Sequence, residues 1–152
     1  MDISDFLQND AVITLRASSK KQLLQDLAKQ AKILTGLNDA KIFEVLLERE
    51  KLGSTGLGKG VAIPHGKLSG LSSLQGIFAK LDKPIDFDSV DNSPVDLVFL
   101  LLAPEQAGAD HLTALARVSR YLRKQDNCEK LRNTDDQDGL YILLTQNEAQ
   151  AA

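Results

Sequence analysis

Arg49 and His65 bracket a glycine-dense stretch, Arg49-Glu50-Lys51-Leu52-Gly53-Ser54-Thr55-Gly56-Leu57-Gly58-Lys59-Gly60-Val61-Ala62-Ile63-Pro64-His65. A guanidinium, a bendable backbone and an imidazole thus lie close together along the chain. Glycine loses more conformational freedom on folding than any other residue, so Gly53, Gly56, Gly58 and Gly60 weaken the loop they share. What they provide is a tight bend and a close approach of main-chain amides to a ligand. A fixed cation, exposed amides and an imidazole together suit an anion, above all a phosphoryl group.

Each residue has a plain reading beside the chemical one. His65 is one of 2 histidines in the chain and, by itself, is an ordinary loop histidine. Its position between rigid Pro64 and flexible Gly66 fixes where the ring points, and a neutral ring nitrogen is a nucleophile. The loop upstream adds the hydroxyls of Ser54 and Thr55. His111 is expected at the start of a helix, where unpaired amides and a partial positive charge favour anions. Asp110 as its N-cap would work against this. Arg49 alone is a helix-end cation, but its planar fork grips two phosphate oxygens in a way lysine cannot.

Other chemistries fit poorly. The stretch from Gly53 to Lys59 nearly spells a P-loop, yet Gly60 stands where a magnesium-binding hydroxyl is required, and the element order is helix, loop, strand. The same glycines fail as a dinucleotide fingerprint, because no helix follows. Two histidines without a Cys or Glu-x-x-His pattern make no zinc site, and no Gly-x-Ser-x-Gly elbow is present. Cys128 sits in a polar stretch with no histidine near it in sequence. No metal and no cofactor is expected.

The balance of the chain agrees. Its 152 residues suggest one domain, expected over 1–146 with a frayed tail at 147–152. Hydrophobic content of 43% and charged content of 26% are ordinary globular values. A net charge of −3 gives no basic excess with which to bind nucleic acid. The lysines at 20–21 read as a solvated helix face. One cysteine permits no internal disulfide, which is compatible with the cytoplasm. No signal peptide is expected at the acidic N-terminus, and the apolar run at 97–103 is far too short to span a bilayer.

These residues must be held by regular elements. Strands are expected at 11–15, 61–63, 74–81 and 95–103, the last apolar on both faces and therefore central and covered on either side. Helices are expected from Ser18 or Ser19 to about Leu34 and from Asn38 or Asp39 to Gly53, the second placing Arg49 in its last turn. A third runs from His111 to Lys124 with Leu112, Leu115, Ala116 and Leu122 as its apolar stripe. Short helices follow at 127–132 and 136–144, and prolines and aspartates at 84–94 mark a turn-rich connection. The pattern predicts an α/β sandwich with a mixed sheet of about five strands and helices on both faces.

The motif Leu57-Gly58-x-x-Val61-Ala62-Ile63-Pro64-His65-Gly66, preceded by the acid Glu50, resembles the phosphohistidine signature of the mannitol/fructose-type enzyme IIA domains of the bacterial phosphotransferase system. The stretches at 49–58 and 84–104 are similar to the nitrogen-regulatory branch of that family, and His111-Leu112-x-x-Leu115 fits its second histidine segment. The resemblance covers almost the whole chain. It implies the enzyme IIA fold, with His65 as the phosphoacceptor, charged by an HPr-type phosphocarrier, and with Arg49 and His111 lining the site. Ser54 and Thr55 join as phosphate-binding candidates because their hydroxyls lie near in sequence. It also implies a signalling role, in which the phosphorylation state regulates partners such as potassium uptake systems or sensor kinases. The protein is then a phosphoryl carrier, a transferase by nomenclature rather than a multiple-turnover enzyme. The alternatives are a sugar-specific enzyme IIA that passes phosphate to a IIB domain, and a non-catalytic binding module. An apolar rim around His65, with Leu57 and Leu68, is expected for docking.

Overall fold

The computed structural model describes residues 1–146, and the tail expected at 147–152 lies outside the described residues. Strand β6 (Val95–Pro104) is the axis of the molecule. Leu97 through Ala103 are all 0% exposed. Successive side chains on a strand point to opposite faces, so such a run must be covered on both sides. β5 (Gln75–Ile85) pairs with it antiparallel, and β1 (Val12–Leu15) pairs parallel with β5. On the other edge, β3 (Val61–Ala62) and β4 (His65–Leu68) both run parallel to β6, and β2 (Gly56–Gly58) pairs antiparallel with β3.

The sheet thus has six strands in the order β1-β5-β6-β3-β2, with β4 also on β6, rather than the five expected. The strands missing from the sequence reading are β2 and β4. β2 is almost all glycine, which carries no strand preference of its own. It pairs because Lys59 (φ 56°) and Gly60 (φ 85°) turn the chain back in a two-residue hairpin, which needs positive φ at both positions. β3 and β4 keep one register along β6, Val61 opposite Leu97 and His65 opposite Leu101. They form one line of strand interrupted at Ile63-Pro64. Pro64 has no N–H to give the ladder, but its carbonyl accepts from the Leu101 N–H at 3.0 Å. β5 runs on past Pro84 to Ile85 through a register irregularity, the place where a strand tolerates proline.

Helix α1 (Lys20–Thr35) starts where the Ser19 hydroxyl accepts from the Gln22 N–H at 3.1 Å, and ends at Gly36 with φ 74°. It buries Leu23, Leu24, Leu27, Ala28 and Ala31. Helix α2 (Asp39–Lys51) is capped by Asn38 and buries Ile42, Leu46 and the carboxylate residue Glu50. The two pack on each other, α1 against β5 and α2 against β4.

Helix α3 (Ala109–Leu122) begins earlier than expected. Gly108, not Asp110, occupies the N-cap position, no side chain caps the helix, and Asp110 is exposed in the first turn. Its buried face is His111, Ala114, Arg117, Val118, Tyr121 and Leu122, so the leucine stripe expected from sequence is displaced and Leu112 is 70% exposed. Burial follows the three- and four-residue spacing from His111 rather than the positions of the leucines. Helices α4 (Gln125–Arg132) and α5 (Gln137–Thr145) complete the described chain. Cys128 is buried in α4, its thiol donating to the Leu122 carbonyl at 3.1 Å, and burial pushes its pKa up, away from reactivity.

Candidate functional site around His65

His65 opens β4 and is half-buried. Its Nδ1 lies 2.8 Å from the Ile63 carbonyl oxygen. A carbonyl can only accept, so Nδ1 carries the ring proton. The opposite nitrogen, Nε2, faces Arg49 Nε at 3.3 Å. A guanidinium can only donate, so Nε2 presents a lone pair. The two contacts fix both the ring plane and the tautomer. Burial is the largest influence on the ring and pushes its pKa below the ordinary 6.5. The Ile63 carbonyl pulls it up, Arg49 pushes it down and Glu50 pulls it up. His65 is therefore held as a neutral imidazole near pH 7, with the Nε2 lone pair available for chemistry.

Arg49 reaches this position because α2 ends beside it. Its Nη1 donates to the Gly53 carbonyl at 2.9 Å, in the turn that follows the helix. His111 stands in the first turn of α3, 8% exposed, with ring centroid 5.8 Å from that of His65 and the planes at 69°. Its Nε2 is buried and has no hydrogen-bond partner. Burial, then the neighbouring charges of His65 and Lys67, lower its pKa. The structure thus brings Arg49 from α2 and His111 from α3 to the His65 ring on β4.

Ser54 and Thr55 lie in the same loop, but their protons are spent inside the protein. Ser54 Oγ donates to the Phe87 carbonyl at 3.0 Å. Thr55 Oγ1 donates to Glu50 Oε2, and Glu50 Oε1 accepts from the Thr55 N–H at 3.1 Å. A hydroxyl has one proton to give, so neither retains one for an anion.

Lys20, read from sequence as a solvated cation, is instead drawn inward against Glu50. Its Nζ is 2.9 Å from Glu50 Oε1 and 4.5 Å from the Phe87 ring centroid, with the side chain 18% exposed. No local pattern marks it, because its partners belong to α2 and to the loop after β5. The hairpin tip is tied from outside: Asp91 accepts from the Lys59 N–H at 2.9 Å, and Arg132 donates to the Lys59 carbonyl at 3.0 Å while forking onto Asp96 at 2.8 and 2.9 Å. Among the described residues no group of three or more His, Cys, Asp or Glu is placed to hold a metal ion.

The two leucines expected at an apolar rim part company in the structure. Leu57 is 44% exposed, whereas Leu68 is 2% exposed and belongs to the core. Strand alternation explains this: His65 and Lys67 share one face of β4, and Gly66 and Leu68 share the other. Leu112, next to His111, and Leu52, after α2, are the exposed leucines instead, at 70% and 84%.

Residues 5–147 match the family model described as "Phosphoenolpyruvate-dependent sugar phosphotransferase system, EIIA 2". A "Nitrogen regulatory protein" of Bradyrhizobium diazoefficiens is 57% identical over 153 aligned positions, covering 100% of both chains. The crystal structure of nitrogen regulatory protein IIA-Ntr from Neisseria meningitidis superposes with a TM-score of 0.89 at 35% identity, covering 94% of this chain and 99% of that one. IIA mannitol from Escherichia coli, at 20% identity and a TM-score of 0.74 over 90% of this chain and 97% of that one, shares the fold. The six-stranded mixed sheet, the signature running into His65 and these likenesses agree: this chain belongs to the enzyme IIA type 2 family of the phosphotransferase system, on its nitrogen-regulatory branch.

Proposed function

We propose that this protein is a phosphohistidine carrier that takes a phosphoryl group on His65 from an HPr-type phosphocarrier and regulates other proteins according to whether it carries that group. The observation that carries this reading is the fixed tautomer of His65. Nδ1–H is bound to the Ile63 carbonyl at 2.8 Å, which leaves Nε2 as the nucleophile.

The lone pair of Nε2 attacks the phosphorus of the carrier's phosphohistidine in line. The N–P bond on the carrier breaks, and its electron pair returns to the carrier's imidazole. No net proton transfer is required, because each ring keeps the proton on its other nitrogen. The transition state is loose, so the protein's task is position and charge. The Arg49 fork leaves the Nε2 lone pair as the new bond forms and takes up phosphoryl oxygens, joined by main-chain amides of the glycine loop. His111 Nε2, buried and without a partner, acts as donor in the tautomer that bears its proton there. The donor is already activated, so neither metal nor nucleotide enters this step. Leu52, Leu57 and Leu112 frame the docking face. The working compartment is the cytoplasm, with potassium uptake systems or sensor kinases as the kind of partner regulated.

The test is to mix the protein with phosphoenolpyruvate, enzyme I and an HPr-type carrier and follow intact mass. An acid-labile adduct of one phosphoryl group on wild type and none on His65→Ala is expected, with nitrogen–phosphorus coupling placing it on Nε2. Absence of an adduct with every cognate carrier would leave a binding module, and onward transfer to a IIB domain would indicate a sugar-specific role.

A further inference from the structure

Thr55 lies between the two reacting side chains in bonding terms. Upstream, the Gly53 carbonyl accepts from Arg49 Nη1 at 2.9 Å. Downstream, the Thr55 carbonyl accepts from the Ile63 N–H at 3.0 Å, and the Ile63 carbonyl accepts from His65 Nδ1–H at 2.8 Å. The turn that orients Arg49 and the strand that orients His65 therefore meet at Thr55. Thr55 itself is anchored by both its N–H and its hydroxyl on the carboxylate of Glu50. Glu50 is 9% exposed, and a buried carboxylate is costly unless it is both paired and hydrogen-bonded. Lys20 supplies the pairing at 2.9 Å, and its own position is set by the Phe87 ring beneath it.

We propose that Lys20, Glu50 and Thr55 form a positioning unit for phosphoryl transfer, holding the Arg49 fork and the His65 ring in register with each other through Gly53 and Ile63. This rests on the carrier reading above. None of the three touches the phosphoryl group. They act through the carbonyls that the reacting side chains bind, and Thr55 passes from a phosphate-binding candidate to the hinge of the support. A displacement of either reacting group by about 1 Å is enough to cost on the order of 10²-fold in rate.

Rates of transfer from the phosphocarrier distinguish this from simple packing. Thr55→Val keeps the shape and removes the hydroxyl, and is expected to slow transfer about ten- to a hundredfold while the end point stays at one phosphoryl group per chain. Thr55→Ser restores the donor and most of the rate. Transfer by Thr55→Val at the wild-type rate, or by Thr55→Ser as slowly as by Thr55→Val, would overturn the proposal.

A second readout needs no carrier. The ring of His65 is titrated by NMR in Glu50→Gln and in Lys20→Met, the charged groups about it being Arg49, Glu50 and His111, with Lys67 acting on His111. Glu50→Gln removes a negative charge and should lower the His65 pKa. Lys20→Met leaves Glu50 without its counter-ion and should raise it. Shifts of the same sign, or none, would refute the coupling. Should wild type accept no phosphoryl group at all, the carrier reading fails, and the titration alone still decides whether the unit controls His65.

Discussion

Arg49 Nε and His65 Nε2 face each other at 3.3 Å, so the guanidinium rests on the very lone pair that the carrier reading proposes as the nucleophile. The cation disfavours protonation of the ring, and the contact holds Nε2 in a fixed direction.

Arg49→Ala should slow phosphoryl transfer about 10²- to 10³-fold, the scale for removing one preorganised donor to transition-state charge. Arg49→Lys should recover only part, since an ammonium lacks the planar fork. Stopped-flow transfer from a phosphorylated carrier measures both. Equal rates for wild type and Arg49→Ala would remove Arg49 from the site.

The pH response has a defined sign. Both histidines have folded-state pKa values below 6.5. As the pH falls through that value the unfolded chain binds protons first, so stability declines on acidification and levels once the folded rings also protonate. On acidification, transfer should begin to fall at a lower pH than an ordinary imidazole would dictate, where Nε2 is lost as a nucleophile. Urea melts and transfer rates across this range, compared with His111→Gln, test it. A rate that falls in step with an ordinary imidazole would contradict the assignment.

Gly60 has φ 85°, and a Cβ there would lie 2.5 Å from Arg132 Nη2. Gly60→Ala should therefore cost about 1–3 kcal/mol in backbone strain and also loosen the Arg132–Asp96 fork. Denaturant unfolding reads the loss. An unchanged midpoint would mean that the hairpin tip relaxes freely.

Leu112 is 70% exposed beside His111. Leu112→Ser should leave stability within about 0.5 kcal/mol. It should also raise the carrier concentration for half-maximal transfer about tenfold, near 1.4 kcal/mol. Saturation kinetics with the phosphocarrier decide it, and an unchanged half-maximal concentration would take Leu112 out of the docking face.

Local pattern alone determined a good part of this protein. The continuous apolar run at 97–103 reads as a strand covered on both faces, and the spacing of Leu23, Leu24 and Leu27 as one side of a helix. Arg49 falls at a helix end because Gly53 follows it, and His65 is held between Pro64 and Gly66. These are consequences of side-chain period and backbone freedom over a few residues. Contacts between distant segments lie beyond that reach, and the tertiary structure decided them. The strand at Gly56–Gly58 exists only because β3 offers it a partner. The proton of His65 sits on Nδ1 because the Ile63 carbonyl is 2.8 Å away. Strand alternation against α2 turned Leu68 inward, and the helix face set by His111 turned Leu112 outward. Lys20 became a half-buried counter-ion because folding brings α1 against Glu50. Ser54 and Thr55 carry hydroxyls in the right loop, but where a hydroxyl donates depends on the acceptor nearest in space, and the fold placed Phe87 and Glu50 there.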